Sequence, residues 1–284
     1  MISDNDALRS LPKNRKELFF DLLAHRKMTL FTLSCFTFLF FIPLAADLFV
    51  FNFFETAAID AAESEQLFSL IFYSMLIMIP CMVIGFLGFA GAFYVAKKLA
   101  WQEGVIVPID FFKGIKENWV HALIDGLIFG IALFGFVIGG TYLFIFAPVH
   151  AVVKGIGIGG LILVLLLLGI ITALDCTQSV YYSNSYFRTF RNSFSFLGLL
   201  NWKVLVLFLV STGGVITLCL FNMITLGVGL FLFAILNSVV IMLYTLIAHS
   251  AFDKYINKDH YPEFVNKGLY KEKTIDSDFD KKEN

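Results

Sequence analysis

Charged side chains are scarce in this chain of 284 residues. They make up 15% of the sequence, whereas soluble domains carry about 25%. Hydrophobic residues reach 58%, and the mean hydropathy is +0.81. These values exclude an ordinary soluble domain and are typical of an integral membrane protein. The net charge of -1 provides no global field for an acidic polymer, so we expect no nucleic-acid partner.

The sequence also lacks the patterns that hold cofactors or carry out catalysis. Its four cysteines form no C-x-x-C pair, and three of them lie inside apolar runs, which argues against a disulfide framework or a zinc site. The metalloprotease, nucleophile-elbow and P-loop motifs are missing. The glycine run at 155–160 follows no strand and precedes an apolar run, so it is no nucleotide site. We therefore predict no catalytic residue, no cofactor and no metal: the protein is not an enzyme.

What is present is a series of six apolar runs, each close to or above the roughly 20 residues that a membrane-spanning helix needs. The first could be a signal peptide, but its long polar leader and its length favour an uncleaved anchor. The chain then divides into a basic amphipathic leader (1–27), a six-span membrane domain (28–251) and a partly disordered tail (252–284). The predicted spans are 28–51, 67–96, 120–147, 156–174, 202–223 and 228–251.

Positive charge is distributed unevenly between these runs. Every Lys and Arg except Lys154 lies in alternate polar intervals, beginning with the leader and ending with the tail, or, in the case of Lys203, just beyond the end of one. Cytoplasmic segments carry such an excess of cations. The distribution predicts a multi-pass membrane protein with both termini in the cytoplasm. The predicted fold is an all-α polytopic bundle of three helical hairpins, with short cytoplasmic amphipathic helices and short outer turns, one of them at Thr225–Gly227.

Two cytoplasmic segments repeat one pattern. FFKGIKENW (111–119) and YFRTFRNSF (186–194) share aromatic residues at places one, two and nine and cations at places three and six. We predict a helix from Pro108 with Phe111, Phe112, Ile115 and Trp119 on one face, and contact with anionic lipid. Such repeats occur in transporters and also arise by simple hairpin duplication. The residues predicted to lie at the membrane interface are Phe112, Lys113, Lys116, Trp119, Phe187, Arg188 and Arg191.

These segments carry a family resemblance. FFKGIKENWVHAL and FRTFRNSFSFLGLLNW, together with FDKYINKDHYPEFVNKGLY near the C-terminus, resemble the YesL-like family of bacterial integral membrane proteins. The resemblance implies the plasma membrane of a Gram-positive bacterium and association with sugar-uptake systems. It implies an accessory role in transport and no established catalytic residue. The basic leader and charged tail are longer than is typical of that family, which favours a specialised partner.

Few polar residues lie within the apolar runs. His121 and Asp125 are one helical turn apart near the inner end of span three and are candidates to pair with each other; Asp47 lies near the outer end of span one. The remaining polar residues of spans five and six either line a narrow groove or make interhelical hydrogen bonds worth about 0.6 kcal/mol each. This candidate groove consists of Ser238, Thr245, His249, Asn237, Tyr244, Ser211 and Asn222.

Glycines on span three form two small-residue motifs. Gly126 and Gly130 make one G-x-x-x-G, and Gly135 and Gly139 make another about half a revolution away. Such motifs allow close approach of neighbouring helices. We therefore predict that span three is central in the bundle, with neighbours on both sides.

This sequence pattern leaves three candidate functions. The first is a non-enzymatic accessory or scaffold component of a membrane transport system, whose partners are the lipid bilayer and other transport subunits. The second is a small solute transporter or channel built from repeated hairpins, which the groove would serve. The third is an intramembrane enzyme, which lacks a recognisable nucleophile–base pair or metal cluster. The first fits best; the solute and the oligomeric state do not follow from the sequence.

Overall fold

The computed structural model describes residues 12–60, 64–198 and 223–270, without the side chains of residues 56–60 and 64. The described residues contain helices and no strand. A π-helical turn, Tyr142–Phe146, extends the fourth helix, and short helical turns at Asp253–Asn257, Lys258–His260 and Pro262–Phe264 follow the last. The helices are α1 (Arg15–His25), α2 (Lys27–Asp60), α3 (Ser64–Ala100), α4 (Val107–Thr141), α5 (Ala151–Tyr181), α6 (Tyr186–Leu197) and α7 (Met223–Phe252).

Five of these helices, α2, α3, α4, α5 and α7, are long and apolar enough to cross a membrane. The predicted all-α polytopic bundle is therefore confirmed, and the protein is a multi-pass membrane protein. The predicted span 202–223 lies outside the described residues except for Met223, as do residues 61–63 of the first outer loop and the end of the tail. Large apolar side chains stay exposed along the outer faces of the long helices, for example Phe53, Leu163 and Phe231, where lipid rather than water solvates them.

The helices run further than hydropathy alone predicts. The turn predicted at Thr225–Gly227 is wrong, because α7 begins at Met223 and includes it. Leu226 within that stretch is fully buried, so core packing holds the helix there. A glycine lowers helix propensity by only about 1 kcal/mol, which tertiary packing outweighs. Likewise α2 extends to Asp60, through residues predicted to form a loop.

The two repeated segments fold differently at their ends. The first segment is part of α4, which continues past it without a break. No glycine or proline falls between Ile115 and Asp125 to stop the helix. The second forms a separate helix, α6, because extended backbone at Tyr182 ends α5 and extended backbone at Ser185 precedes α6. A separate first amphipathic helix is therefore not observed.

One end of the bundle collects the polar elements, and we call it the polar end. The beginnings of α2 and α4 and the ends of α3, α5 and α7 meet there with α1, α6 and the tail segment (residues 253–270). Lys154 lies at the other end, where its ammonium donates to the carbonyl of Phe144. The other Lys and Arg residues within the described ranges belong to the polar end. α6 ends there, beside Phe252, whereas α7 begins at the other end.

Arg15 of α1 joins the leader to the tail segment at this end. Its guanidinium donates to the carbonyl of Lys267 at 2.9 Å and to the carboxylate of Asp253 at 3.0 Å. Leu18 and Leu22 of α1 are buried in the same core. The tail turns at Gly268, with φ +86°, where a Cβ would collide with the carbonyl of Ala100. The described part of the leader, residues 12–27, is thus packed into the bundle and does not simply lie on a lipid surface.

Candidate functional site

The two repeated segments share a pattern of burial as well as a pattern of sequence. Places two, three, six and nine are exposed in both copies, and places four and eight are buried in both. The buried positions are Gly114 and Asn118 in α4 and Thr189 and Ser193 in α6. The exposed residues form two surfaces that we call the aromatic–cationic faces: the first is Phe112, Lys113, Lys116 and Trp119, and the second is Phe187, Arg188, Arg191 and Phe194.

Packing against α2 and α3 orients the first aromatic–cationic face. Phe111 is fully buried, in ring contact with Phe36 and Phe40 of α2. Asp110 is also buried and accepts from the ammonium of Lys98 at 2.8 Å. The predicted common face of Phe111, Phe112, Ile115 and Trp119 is therefore divided, because Phe111 packs into the core beside Asp110, whose ion pair offsets the cost of burying that carboxylate. Phe112 and Trp119 remain 55% and 54% exposed.

Hydroxyl groups, rather than apolar side chains, hold much of α6 in place. The amide of Gln178 in α5 donates to the Ser193 hydroxyl at 2.8 Å, and Thr189 is fully buried. Phe196 adds a ring contact to Phe252 of α7. Phe187 and Phe194 point the other way and are 85% and 63% exposed. A helix with hydroxyls inside and aromatic rings outside presents those rings to lipid or to another protein.

A cluster of ionisable groups lies between α4, α5 and the start of α6. His121 Nδ1 is 3.1 Å from the carboxylate of Asp175. Asp125 accepts from the Tyr186 hydroxyl at 2.9 Å and from the Cys176 thiol at 3.5 Å, and its carboxyl group neighbours that of Asp175. The expectation that His121 and Asp125 pair with each other is wrong, because each finds its partner on another helix.

Burial shapes the chemistry of this cluster. Asp125 and Asp175 are both fully buried. Burial, followed by the nearby Asp125 carboxyl, raises the pKa of the Tyr186 phenol, so this hydroxyl keeps its proton and donates it in a hydrogen bond. The cluster can hold α6 against α4 and α5. Within the described ranges no group of three or more His, Cys, Asp and Glu side chains could hold a metal ion.

The candidate groove residues on α7 are engaged with neighbouring helices or with their own backbone. The Ser34 hydroxyl of α2 donates to Ser238 at 2.8 Å, and the Asn237 amide donates to the Ser34 carbonyl at 3.1 Å. Thr245 donates to the carbonyl of Ile241 in its own helix. Tyr244 lines a cavity of about 10 Å³ with Ala173, Thr177 and other residues. Ser211 and Asn222 lie outside the described residues.

His249, the last of the predicted groove residues, lies at the polar end. Its ring is 3.2 Å from the Tyr181 hydroxyl and 3.2 Å from the Arg15 guanidinium. The structure thus brings Asn237 and Ser238 together with α2, and brings His249 to the junction of leader and tail. Among the described residues, Asn237, Ser238 and His249 do not line one continuous open channel.

Comparison with protein-family models, with curated proteins and with solved structures gives no match. The functional conclusion therefore rests on the geometry of the polar end.

Sequence reasoning missed Asp175 and Tyr186 as members of the buried cluster. Asp175 follows directly on the predicted fourth span, so hydropathy places it in a polar interval, although α5 continues to Tyr181. The signal that could have found it is the DCTQS stretch, whose polar side chains recur at helical spacing immediately after an apolar run. The pairing with His121 joins residues 54 positions apart, which no local pattern reveals.

Proposed function

We propose that this protein is a non-enzymatic accessory or scaffold component of a membrane transport system, in line with its resemblance to the YesL-like family. The observation that carries the proposal is the pair of aromatic–cationic faces. Two segments of different backbone context expose large rings beside cations at corresponding places. Aromatic residues and Arg are enriched where proteins bind one another and are prominent among binding hot spots.

The proposal includes a location and a topology. The cation-rich polar end faces the cytoplasm of a Gram-positive bacterium, following the bias of cytoplasmic segments toward Lys and Arg. Both aromatic–cationic faces then lie at the inner surface of the plasma membrane. From there they reach transport subunits within the bilayer or docked beneath it. This placement is supported by the position of Lys154, at the opposite end from the other described cations.

The polar groups of α7 support this proposal over a small transporter. A solute path needs polar groups that are free to exchange partners with the solute and with water. The amide nitrogen of Asn237 and the hydroxyl of Ser238 are instead hydrogen-bonded to Ser34 of α2, and of the side-chain polar atoms of these two residues only Oδ1 of Asn237 lacks a partner. The buried cluster supports the non-enzymatic part in the same way, because the carboxyl groups of Asp125 and Asp175 have no exposed surface at which a substrate could reach them.

The test is association in native membranes. The tagged protein is extracted in mild detergent, and co-purifying proteins are quantified by mass spectrometry. We expect transport subunits to be enriched with the wild type and to fall at least about tenfold with Phe112→Glu/Phe187→Glu, because a charge at an apolar hot spot costs roughly 2 kcal/mol or more. Phe112→Leu/Phe187→Leu keeps the apolar character and is the matched control, which should retain most of the association.

Circular dichroism and gel filtration of both variants establish that the bundle is intact. Undiminished association of the Phe112→Glu/Phe187→Glu variant would contradict the proposal. So would a wild-type preparation in which no transport subunit is enriched.

A further inference from the structure

A cleft opens at the polar end between α6 and the tail segment. Its volume is about 620 Å³, which lies within the roughly 300–1,000 Å³ of pockets for small organic ligands. α6 forms one wall and residues of the tail segment form the other, while Tyr182 and Phe196 lie at its base. The contacts described above for the aromatic–cationic faces do not fill this cleft.

One face of α6 turns a row of polar and cationic side chains into the cleft. Arg188, Arg191, Asn192 and Ser195 follow each other at intervals of three, one and three residues, which places them on one side of a helix. This side adjoins the one that carries Phe187 and Phe194, and Arg188 and Arg191 lie at the border between the two. α6 therefore has a buried hydroxyl side, an aromatic side directed outward, and a third side that lines the cleft.

The two guanidinium groups lack acidic partners. No hydrogen bond or ion pair joins Arg188 or Arg191, through its side chain, to another residue of the described ranges, and the lining residues within those ranges include no Asp or Glu. Asp253, on the tail segment, is paired with Arg15. Two cations at the edge of a concave site without a counter-charge favour an anionic ligand.

The opposite wall suits an organic anion rather than a bare ion. Tyr255, Ile256 and Tyr261 supply apolar surface, and His260 and Asn184 supply further polar atoms. The Tyr182 hydroxyl is already committed to Asn257, to which it donates at 2.6 Å. Aromatic and aliphatic walls with a few polar groups at one side are characteristic of sites that hold a charged group attached to a carbon skeleton.

We propose that this cleft binds a phosphate ester, with Arg188 and Arg191 as the ligands of its phosphate group. The planar guanidinium matches phosphate geometry and binds it through paired hydrogen bonds. The ester's carbon skeleton lies against Tyr255 and Tyr261. Two sources supply this chemistry at the polar end: the headgroup of an anionic phospholipid and a soluble phosphate ester.

The experiment separates these two sources. Purified full-length protein in a neutral detergent is titrated with phosphatidylglycerol in mixed micelles, with phosphatidylcholine as the reference lipid. In a parallel titration it receives glycerol 3-phosphate, with glycerol as the reference. Binding is followed by intrinsic fluorescence and by the shift of the thermal unfolding midpoint. We expect saturable binding of at least one phosphate-bearing probe, weaker at higher salt.

Arg188→Gln/Arg191→Gln should weaken that binding by about tenfold or more for each guanidinium removed. Lys13→Gln/Lys16→Gln removes the same charge from two exposed positions of the leader, outside both aromatic–cationic faces, and should leave the binding unchanged. Binding of phosphatidylglycerol alone assigns the cleft to lipid, and binding of glycerol 3-phosphate alone assigns it to a soluble ester. If neither probe binds, or if both double variants behave alike, the proposal is overturned. Because these titrations contain no transport subunit, their outcome is independent of the association test.

Discussion

At the scale of single residues, two buried carboxyl groups in the described part of this protein have a basic partner on another helix. Asp110 on α4 is neutralised by Lys98 of α3, and Asp175 on α5 lies against His121 of α4. A charge left alone in the bilayer region costs at least about 2.5–3.5 kcal/mol. Each pair therefore fixes the relative rotation of two helices, since any other rotation would leave a carboxylate without its partner.

At this scale, we predict the effect on stability of removing the Tyr186 hydroxyl. Its hydroxyl donates to the fully buried carboxyl of Asp125. Tyr186→Phe removes the donor and keeps the ring, so we expect a loss of about 1–3 kcal/mol, the cost of an unsatisfied buried acceptor. A lower midpoint of thermal unfolding in detergent would show this. Tyr73→Phe is the matched control, because Tyr73 is 63% exposed and has no hydrogen-bond partner in the described residues. Equal midpoints for the two variants would contradict this account.

At the scale of elements, the most extensive contact among the described helices is that between α3 and α4. Gly126 and Gly130 allow it: a Cβ at Gly126 would lie 2.7 Å from Cα of Val83, and one at Gly130 would lie 3.2 Å from Cα of Ile79. Gly135 and Gly139 belong to the second motif on the same helix. A Cβ at Gly139 would meet only Leu161, at an ordinary 3.6 Å, and one at Gly135 would meet no described atom within 4 Å.

This contrast predicts opposite effects for one substitution at two sites. Gly126→Ala forces the α3 backbone away, so we expect a loss of about 1–3 kcal/mol from overpacking. Gly135→Ala should be neutral or stabilising by up to about 1 kcal/mol, because alanine favours the helix. Both changes raise helix propensity equally, so the difference in unfolding midpoint isolates the α3–α4 contact. A Gly135→Ala variant that is less stable than Gly126→Ala would exclude this packing scheme.

The sequence predicted elements better than the contacts between them. Hydropathy located the five described spans, because a run of about 20 apolar residues has few stable structures other than a helix in lipid. It missed that Val107–Thr141 is a single helix and that Thr225–Gly227 is helical. Hydropathy reports burial in lipid and not where a helix ends. The cleft beside Arg188 joins α6 to a tail segment more than 60 residues later in the chain, a juxtaposition that no local pattern encodes.

At the scale of the whole molecule, the polar end is closed by the two ends of the described chain. The backbone amide of Tyr270 donates to the carbonyl of Pro12 at 3.1 Å. Lys267 forms an ion pair with Glu103 at 3.0 Å, and its ammonium lies 3.5 Å from the centre of the Trp101 ring. Leader, α3–α4 loop and tail segment are thus one packed unit. The cleft wall formed by Tyr255 and Tyr261 depends on this unit staying closed.

Arg15 makes the contacts that hold the tail segment against the leader and the α3–α4 loop. Its side chain and that of Asp253 are only 13% and 12% exposed, and it also donates to the carbonyls of Lys267 and Ala100. Arg15→Met keeps the aliphatic stem and removes these bonds, so we expect the tail segment to open more often, by roughly 1.5–3 kcal/mol. Cleavage by trypsin at Lys254, Lys258 and Lys267 should accelerate about tenfold or more, since proteolysis follows the open population.

Lys16→Met changes the neighbouring exposed cation, which has no ion-pair partner in the described residues, and should cleave at the wild-type rate. If Arg15→Met also cleaves at that rate, the tail is held by its ring contacts to Trp101 and Tyr182, and closure does not depend on the guanidinium.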